Sequence, residues 1–300
     1  MRIDEKVQVS ILLATKNRCE SLSKLLSRLQ LIEHPPSWEL IIGDNASFDD
    51  TKSTISKFKQ LLPIRCFYAP ISGKSRTLNQ GVHLATGEIC VFIDDDIVPH
   101  NSWLTSIRNY ATNYPHINVF GGRILVNEVL PKWLHNSYNL QAILATVHDL
   151  GDDARVYKPG EYPIGPNITV RTQLLKNFEK PWPETIGPGT ELPVGDEYGF
   201  LSKVSPPAAR DRMYIPEALV THKPRLEEFQ LLNAIQRCYQ GGYAAAIQTT
   251  YQPVKTNDVN VILTIKNRLA SCRSLQEFIL SCSRSLGFVN GKITSRFLTD

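Results

Sequence analysis

The sequence predicts an α/β fold in which a mostly parallel sheet is flanked by helices, with a further helical region at the C-terminus. Short apolar runs alternate with segments whose leucines and isoleucines recur at helical spacing. One run, Ile89–Ile93, is apolar throughout, as expected of a strand that is buried on both faces of a parallel sheet. Repeated strand–helix alternation implies right-handed βαβ units. The fold is therefore expected to be Rossmann-like.

Four strands and three helices are predicted before residue 94. The strands cover residues 7–14, 38–42, 64–69 and 89–93. The first helix carries leucines at positions 22, 25, 26 and 29 and ends before Pro35, which cannot continue a helix. Asp49 or Asp50 is expected to cap the second helix, and the third covers residues 73–86. The first strand is not followed by Gly-x-Gly-x-x-Gly, so a strict dinucleotide-binding fold is not supported.

The pattern becomes less regular after Asp96. A helix is predicted over 103–114, a strand over Val119–Val126, a helix near 140–147 and a final strand over 214–220. Pro224 suits the first turn of a long helix, within which Tyr239-Gln240-Gly241-Gly242 marks either a break or a close packing contact. A second helix is expected from about residue 260 to 286, ending at Gly287. We therefore predict a catalytic domain over 1–224 and a helical region over 225–300.

Composition indicates an ordinary globular protein. The 300 residues are 42% hydrophobic and 21% charged, and the net charge of +4 gives no reason to expect nucleic acid as a partner. No apolar run approaches the roughly 20 residues that span a bilayer. The first residues lead into a strand rather than resembling a signal peptide, and the six cysteines show no metal-site spacing. A cytoplasmic protein with reduced thiols is the expectation.

Three adjacent acids, Asp94, Asp95 and Asp96, follow the buried strand. Ligands of open α/β sheets collect at the carboxyl ends of strands, where these acids lie. In extended chain Asp94 and Asp96 point the same way, so that the two carboxylates could share one oxygen-seeking cation. The alternative is a solvated acidic turn before a helix, with Asp96 or Asn101 as its cap.

Two further polar stretches precede predicted helices. Asp44 ends the second strand, where it could accept a hydrogen bond from the ring N–H of a pyrimidine base or simply close an Asx turn. Lys74 and Arg76 lie on the first turn of the third helix, a position that disfavours cations. An anionic ligand such as a diphosphate would offset that repulsion, whereas the alternative is a solvated basic surface.

Later in the chain, Asp196 and Glu197 follow Gly195 and precede an apolar segment. One of these acids could act as a general base, although acids are also common in the first turn of a helix for structural reasons. His222 follows the last strand and is either a metal ligand through its neutral imidazole or a satisfied structural residue.

Taken together, residues 7–245 resemble the inverting family 2 glycosyltransferases, which have the nucleotide-diphospho-sugar transferase (GT-A) fold. Residues 9–18 (VSILLATKNR) are similar to the opening strand motif and 43–51 (GDNASFDDT) to the nucleobase loop. Residues 73–96 are similar to the stretch that ends in the Asp-x-Asp metal motif, 165–167 (GPN) to the acceptor-side Gly-x-Asn element, and 195–197 (GDE) to the Gly-Glu-Asp base motif. No single motif is specific, but their order matches the family.

The resemblance implies roles for particular residues. Donor-nucleotide contacts are expected from ten residues: Thr15, Asn17, Arg18, Asp44, Asn45, Lys74, Arg76, Asn79, Asp94 and Asp95. Acceptor or sugar contacts are expected from Gly165 and Asn167, and metal ligation from Asp96, Asp94 and His222. Glu197 is the preferred catalytic base, with Asp196 as second choice. The implied cofactor is Mn²⁺ or Mg²⁺, which would act as a Lewis acid on the leaving diphosphate.

The sequence departs from the family pattern at three positions. Ala14 replaces a usual proline, and Leu78 stands where many members have arginine, for which Arg76 could substitute. The order Gly-Asp-Glu inverts the usual order of acids, which leaves open whether Asp196 or Glu197 is the base.

The implied reaction moves a sugar from a nucleotide-diphospho-sugar to a hydroxyl of a glycan or lipid-linked acceptor, in polysaccharide, glycolipid or other glycan biosynthesis. The alternatives are a nucleotidyltransferase, which usually needs a glycine-rich loop after the first strand, and a non-catalytic nucleotide-sugar-binding homologue. Residues 261–300 carry six bases against two acids. This basic amphipathic stretch is expected either to pack on the catalytic domain or to contact the inner face of the plasma membrane.

Overall fold

A computed structural model describes most of the chain. The described residues are 8–135, 137–158, 161–190, 194–206, 210–251, 266, 269–270 and 272–297. None of the described helices combines the length and the apolar character needed to cross a membrane. The six cysteines are free thiols, of which Cys90 and Cys238 are buried.

A single nine-stranded mixed sheet forms the centre of the molecule. Its strands are β1 (Val9–Thr15), β2 (Trp38–Asp44), β3 (Ile64–Tyr68), β4 (Ile89–Ile93), β5 (Ile97–Pro99), β6 (Val119–Val126), β7 (Arg155–Val156), β8 (Ile168–Arg171) and β9 (Arg212–His222). The spatial order is β3-β2-β1-β4-β8-β6-β9-β5, with β7 pairing with β9. The first four strands are parallel, which confirms the predicted βαβ units.

Helices cover both faces of the sheet. They are α1 (Cys19–Leu29), α2 (Thr51–Phe58), α3 (Lys74–Leu84), α4 (Trp103–Asn113), α5 (Tyr138–Ala145), α6 (Thr172–Leu175), α7 (Asp196–Val204), α8 (Leu231–Tyr251) and α9 (Leu275–Phe297). Strand β1 is buried on both sides, since Ile11 and Leu13 pack in the cluster with α1 and α4 while Leu12 packs with α3 and α7. This double burial explains the unbroken apolar runs in the sequence.

The irregular middle of the chain contains strands that were not predicted. Strand β8 lies antiparallel between β4 and β6, and β5 is antiparallel to β9. Both are only three or four residues long, which is too short for their sequence pattern to identify them, and their pairing depends on neighbours that are distant in sequence. Strand β9 is also longer than the predicted 214–220.

The predicted C-terminal helices need two corrections. Pro224 does not begin the long helix: a 3₁₀ turn, Leu226–Phe229, precedes α8. The predicted helix over 260–286 lies partly outside the described residues; residues 272–274 are not helical, and α9 continues through Gly287 to Phe297. Gly287 serves close packing rather than termination, because a Cβ there would lie 2.0 Å from the carbonyl oxygen of Tyr239 on α8.

Helices α8 and α9 pack on each other and on α5. Gly242 lies within an unbroken α8, and a Cβ there would approach the carbonyl oxygen of Arg284 to 1.9 Å, so the close-contact interpretation is correct for Gly242. Leu140 and Leu144 of α5 share one apolar cluster with Cys238 of α8 and Leu280 of α9. This cluster joins the two regions predicted as 1–224 and 225–300, whose division into domains stays a prediction.

Candidate active site

A cavity of about 870 Å³ opens at the carboxyl ends of β1 and β4. One side, which we call the donor half, is formed by the end of β1, the first turn of α3 and the acids after β4. The first turn of α7 and the end of β9 also line the cavity. The opposite side, which we call the C-terminal wall, is formed by α5, the loop residues between 146 and 162, the turn at 226–229, α8 and α9. The cavity therefore brings together predicted site residues as far apart in the sequence as Thr15 and His222.

In the donor half, Arg18 and Lys74 are held by carboxylates. The Arg18 guanidinium donates to Asp95 at 2.5 Å and to Asp96 at 2.7 Å, and the Lys74 ammonium lies 2.6 Å from Asp94. Burial alone would lower the pKa of Lys74, but Asp94 outweighs it, so that the pKa lies above its ordinary value. Both cations are thus firmly charged and positioned at the end of β4.

The three acids have different side-chain partners, and the sharing of one divalent cation by Asp94 and Asp96 stays a prediction. Asp94 bonds to Lys74, while Asp95 accepts from Thr15 Oγ1 at 2.6 Å and from Arg18. Burial raises the pKa of Asp95 despite Arg18, whereas Lys74 overcomes burial and lowers the pKa of Asp94. The chain turns directly after Ile93, so the alternation of an extended strand no longer applies to these side chains.

Asp96 and His222 form a pair with unused acceptor capacity. Oδ1 of Asp96 is buried, has no hydrogen-bond partner and lies 3.6 Å from Nε2 of His222. His222 Nδ1 donates to the carbonyl oxygen of Ala145 at 3.0 Å, which leaves Nε2 as an acceptor in the neutral ring. A histidine oriented in this way, beside an unsatisfied carboxylate oxygen, fits a divalent cation.

Protein ligands alone would not fill the coordination sphere of such an ion. Among the residues that the structure describes, no three His, Cys, Asp or Glu side chains are grouped so as to hold a metal. A Mg²⁺ or Mn²⁺ ion at Asp96 and His222 would need oxygens from a substrate or from water, which is common for ions that act on phosphate groups.

The two candidate bases differ in burial. Gly195, at φ +99°, precedes α7 and sets Asp196 and Glu197 in its first turn. Asp196 is only 2% exposed, its Oδ2 has no partner, and burial together with Glu197 raises its pKa well above the ordinary value. Burial therefore disfavours the charged form of Asp196. Glu197 lines the cavity and is partly exposed, so it is the acid better placed to accept a proton.

Several predicted donor contacts lie behind the cavity lining. Asn17, at φ +52°, accepts from the Phe48 amide through Oδ1 at 2.9 Å and so ties the β1 loop to the β2 loop. Oδ1 of Asp44 accepts a hydrogen bond from the Ser47 amide at 2.9 Å. This oxygen therefore closes a turn onto the backbone of its own loop, which is the structural alternative to a contact with a base. Asn45 does line the cavity, and its Oδ1 accepts from the Gly73 amide at 2.8 Å at the start of α3.

Arg76 and Asn79 point to a different part of the molecule. Asn79 is 4% exposed and exchanges hydrogen bonds with the backbone of Trp182, at 2.9 and 3.0 Å. Both side chains also contact Glu184. Neither lines the cavity, because one face of α3 packs on the 181–184 segment. The prediction that they contact the donor does not fit this packing.

Of the two residues predicted on the acceptor side, only one is in the lining of the cavity. Gly165 lines the cavity. Asn167 is 1% exposed, accepts from Trp103 Nε1 at 3.0 Å and donates to the Ala218 carbonyl at 2.7 Å. Its amide is fully engaged in joining β8, α4 and β9, so it is a structural residue and not an acceptor contact.

Sequence reasoning missed most of the C-terminal wall. Its lining includes polar side chains from four segments: Tyr138, His148, Arg237 and Arg284. His148 is buried between the hydroxyls of Tyr138 and Tyr157, at 3.1 and 2.8 Å, and burial lowers its pKa to about 4. No motif marks these positions. The basic character of the C-terminal stretch was the one signal, and it did not separate Arg284 from exposed bases.

Comparisons with known proteins agree with this geometry. A protein-family model described as glycosyl transferase family 2 matches residues 10–178. A curated relative, glycosyltransferase AglE of Haloferax volcanii, is 30% identical over 100 residues, which are 32% of this chain and 33% of that protein. The matched part thus covers about a third of the relative's length.

Solved structures resemble the whole chain in fold. The mannosyltransferase PcManGT from Pyrobaculum calidifontis, solved with GDP-Man and Mn²⁺, has a TM-score of 0.62 at 15% identity, over 99% of this chain and 89% of that one. S. aureus TarS 1-349 with UDP-GlcNAc has a TM-score of 0.52 at 13% identity, over 97% and 92%. At these identities the similarity establishes the fold. With a family match that covers more than half of the chain, this protein belongs to glycosyl transferase family 2, and it is a glycosyltransferase with the GT-A fold.

Proposed function

We propose that this enzyme transfers a sugar from a nucleotide-diphospho-sugar to an acceptor hydroxyl with inversion at the anomeric carbon, and that the transfer depends on a divalent cation. One observation carries the proposal: the acids and cations after β1 and β4 face Glu197 of α7 across a single cavity. That arrangement puts groups suited to a diphosphate opposite a group suited to an acceptor hydroxyl.

The donor half supplies charges for the diphosphate. Lys74, at the first turn of α3, and Arg18 are the cations nearest to the acids. Binding of a diphosphate would let these side chains exchange carboxylate partners for phosphate oxygens, with bidentate contacts available to Arg18. The helix N-terminus at Gly73 adds free backbone amides, which also favour an anion.

Asp96 and His222 would hold the divalent cation, with Asp94 nearby. Bound there, Mn²⁺ or Mg²⁺ would supply Lewis-acid stabilisation of the negative charge on the leaving nucleoside diphosphate. The unsatisfied Oδ1 of Asp96 and the orientation of His222 support this assignment. The Mn²⁺ in the PcManGT complex supports it independently.

Glu197 acts as the general base. It accepts the proton of the acceptor hydroxyl while that oxygen bonds to the anomeric carbon and the bond from this carbon to the diphosphate breaks. No protein nucleophile takes part, and the single displacement inverts the anomeric centre. Asp196 also lines the cavity, but its burial disfavours the charged form that a base needs, which supports the assignment of this role to Glu197.

The decisive experiment is a donor screen with the purified full chain. UDP- and GDP-sugars are tested with Mn²⁺, with Mg²⁺ and with EDTA, and both thermal shift and release of the nucleoside diphosphate are measured. We expect one nucleotide-sugar to stabilise the protein and to be hydrolysed slowly with a cation present. Activity that persists in excess EDTA would contradict the cation dependence, and failure of every nucleotide-sugar to bind would contradict the donor class.

We also propose a role in glycan biosynthesis at the cytoplasmic face of the membrane, with α9 as the contact. Leu275, Leu286 and Ile293 of α9 are 71%, 64% and 53% exposed, and Arg273 and Lys266 nearby are exposed bases. Each base close to an anionic surface adds about 1 kcal/mol. The full chain should co-sediment with phosphatidylglycerol vesicles at low salt. The double variant Leu286→Asp, Ile293→Asp should stay in the supernatant. Absence of sedimentation at low salt would leave α9 as a packed helix only.

A further inference from the structure

The C-terminal wall contains a cation that the proposed reaction does not use. Arg284 of α9 lines the cavity and is partly buried. Among the described residues, its guanidinium forms no ion pair and no hydrogen bond. The Arg18 guanidinium, by contrast, has two carboxylate partners. A cation that is removed from bulk water without a partner is energetically unfavourable unless a ligand supplies the opposite charge.

The acids of the same wall are already neutralised. Glu161 is bound by Arg155 at 2.6 and 3.0 Å, and Glu228 lies 3.1 Å from Nε of Arg237. Neither carboxylate is left for Arg284, whose pKa is lowered by burial instead of being raised by an acid. Among the described residues, the wall therefore presents the partly buried Arg284 to the cavity as a positive charge without a carboxylate partner.

The backbone holds Arg284 firmly at this place. Gly242 of α8 faces the carbonyl group of Arg284 so closely that a Cβ would lie 1.9 Å from the oxygen. Gly287, one turn later on α9, makes the equivalent contact with Tyr239. Glycines at both positions allow the two helices to pack closely, and this packing fixes the position of Arg284 along the cavity wall.

An aromatic pair connects Arg284 with the proposed base. Tyr162, which interacts electrostatically with Arg284, packs edge to face against Tyr198 with ring centroids 5.5 Å apart. Tyr198 directly follows Glu197, and all four residues line the cavity. A ligand that reaches Glu197 with a hydroxyl group can therefore cover the two rings and extend towards Arg284.

We propose that Arg284 binds an anionic group, a phosphate or a carboxylate, on the acceptor. This proposal rests on the proposed function, because Glu197 defines where the reacting hydroxyl lies. A guanidinium suits both anions, since its paired N–H groups match two oxygens of either. The acceptor is then an anionic glycan or a phosphate-bearing alcohol, and the C-terminal wall selects it over a neutral sugar.

The test measures anion binding by thermal shift at constant ionic strength. Methyl phosphate and sodium acetate are titrated separately into the full chain, with and without saturating UDP or GDP and Mg²⁺. We expect one of the two anions to stabilise the wild type, and its identity assigns the phosphate or the carboxylate class. Arg284→Gln should weaken that binding by roughly 10- to 100-fold, the loss expected for one charge-assisted contact.

Two variants serve as controls. Lys292→Gln removes a cation from the same helix at a position that does not line the cavity, so its anion binding should equal that of the wild type. Arg284→Lys keeps the charge and should retain part of the binding. Circular dichroism melting of each variant without ligand checks that the fold is intact.

The outcomes separate this inference from the proposed function. Nucleotide binding and donor hydrolysis of Arg284→Gln should stay within about twofold of the wild type, because the donor half is unchanged. If neither anion binds the wild type, or if Arg284→Gln binds as well as the wild type, the anion site is refuted. If an Arg284-dependent anion site exists but no nucleotide-sugar binds, the proposed function fails and the assignment of the site to an acceptor fails with it.

Discussion

Two arginines that line the cavity, Arg18 in the donor half and Arg284 in the C-terminal wall, have opposite surroundings. In the donor half each cation named above has a carboxylate partner, as in the pairs Lys74–Asp94 and Arg18–Asp96. In the C-terminal wall Arg284 faces the cavity without such a partner among the described residues. In the proposed function, the ion pairs of the donor half hold its cations in place until a diphosphate and a divalent cation separate them. In the C-terminal wall, by contrast, the ligand would supply the charge that Arg284 lacks.

The family match follows the same division. Residues 10–178 include the donor half, but α8 and α9 lie beyond the matched segment. Under the proposed function, a donor chemistry shared with the family would account for the paired half, and the unmatched helices would be the part in which acceptor recognition is particular to this chain. Four predictions test how far this difference extends, from the largest expected effect to the smallest.

The first prediction addresses the donor half. Asp96→Ala should lower transfer by about 10³-fold, because it removes the carboxylate proposed to hold the cation. The fold should be retained, since Arg18 keeps its 2.5 Å contact with Asp95. Initial rates at saturating Mn²⁺ and a melting curve measure both effects. Asp152→Ala, at a carboxylate that is 91% exposed, is the control and should be fully active. An active Asp96→Ala enzyme would refute the assignment of the metal site.

The second prediction concerns the base between the two halves. Glu197→Gln keeps the shape of the side chain but removes its basicity, so kcat should fall by roughly 10²-fold or more with little change in donor affinity. Asp196→Asn is the matched comparison and should retain most of the activity, because burial raises the pKa of Asp196 and disfavours the charged form that a base needs. The reverse result would make Asp196 the base, and activity in both variants would make the motif structural.

The third prediction uses the pH dependence of the C-terminal wall. Burial lowers the pKa of His148 from 6.5 to about 4, so the unfolded chain binds a proton in this pH window that the folded chain does not. Stability should therefore fall as the pH decreases from 6.5 to 4, by up to about 3 kcal/mol from this residue. Urea unfolding at several pH values measures the slope, and His148→Gln should flatten it. An unchanged slope would mean that other groups control acid unfolding.

The fourth prediction tests the packing that positions Arg284. Gly242→Ala should lower the free energy of unfolding by about 2 kcal/mol, because the new Cβ meets the backbone of α9. Gly241→Ala is the neighbouring control: its nearest atom lies 4.0 Å away, and alanine should add up to about 1 kcal/mol of helix stability. Denaturant melts of both variants measure the contrast. Equal stabilities would show that the two helices separate at little cost.

The sequence predicted the donor half better than the rest of the site. The sequence predicted that six residues of the donor half would converge, and all six line the cavity: Thr15, Arg18, Lys74, Asp94, Asp95 and Asp96. Each lies at the end of a strand or at the start of a helix, and the alternation of strands and helices places these ends at one edge of a parallel sheet. Asn79 and Asn167 fit the motif pattern equally well but are engaged in buried hydrogen bonds. Motif matching cannot separate an amide that faces a ligand from one that joins two strands.

By itself the sequence determined the parallel core of the fold and the position of the site at the carboxyl ends of its strands. Both follow from local patterns, namely apolar runs, helical spacing and the residues that end each element. Only the tertiary structure decided which charges are paired, that Asp96 rather than Asp94 faces His222, and that α9 carries Arg284 into the cavity. These contacts join residues far apart in the chain, and a backbone approach such as that of Gly242 to Arg284 depends on how two helices dock, which local spacing does not encode.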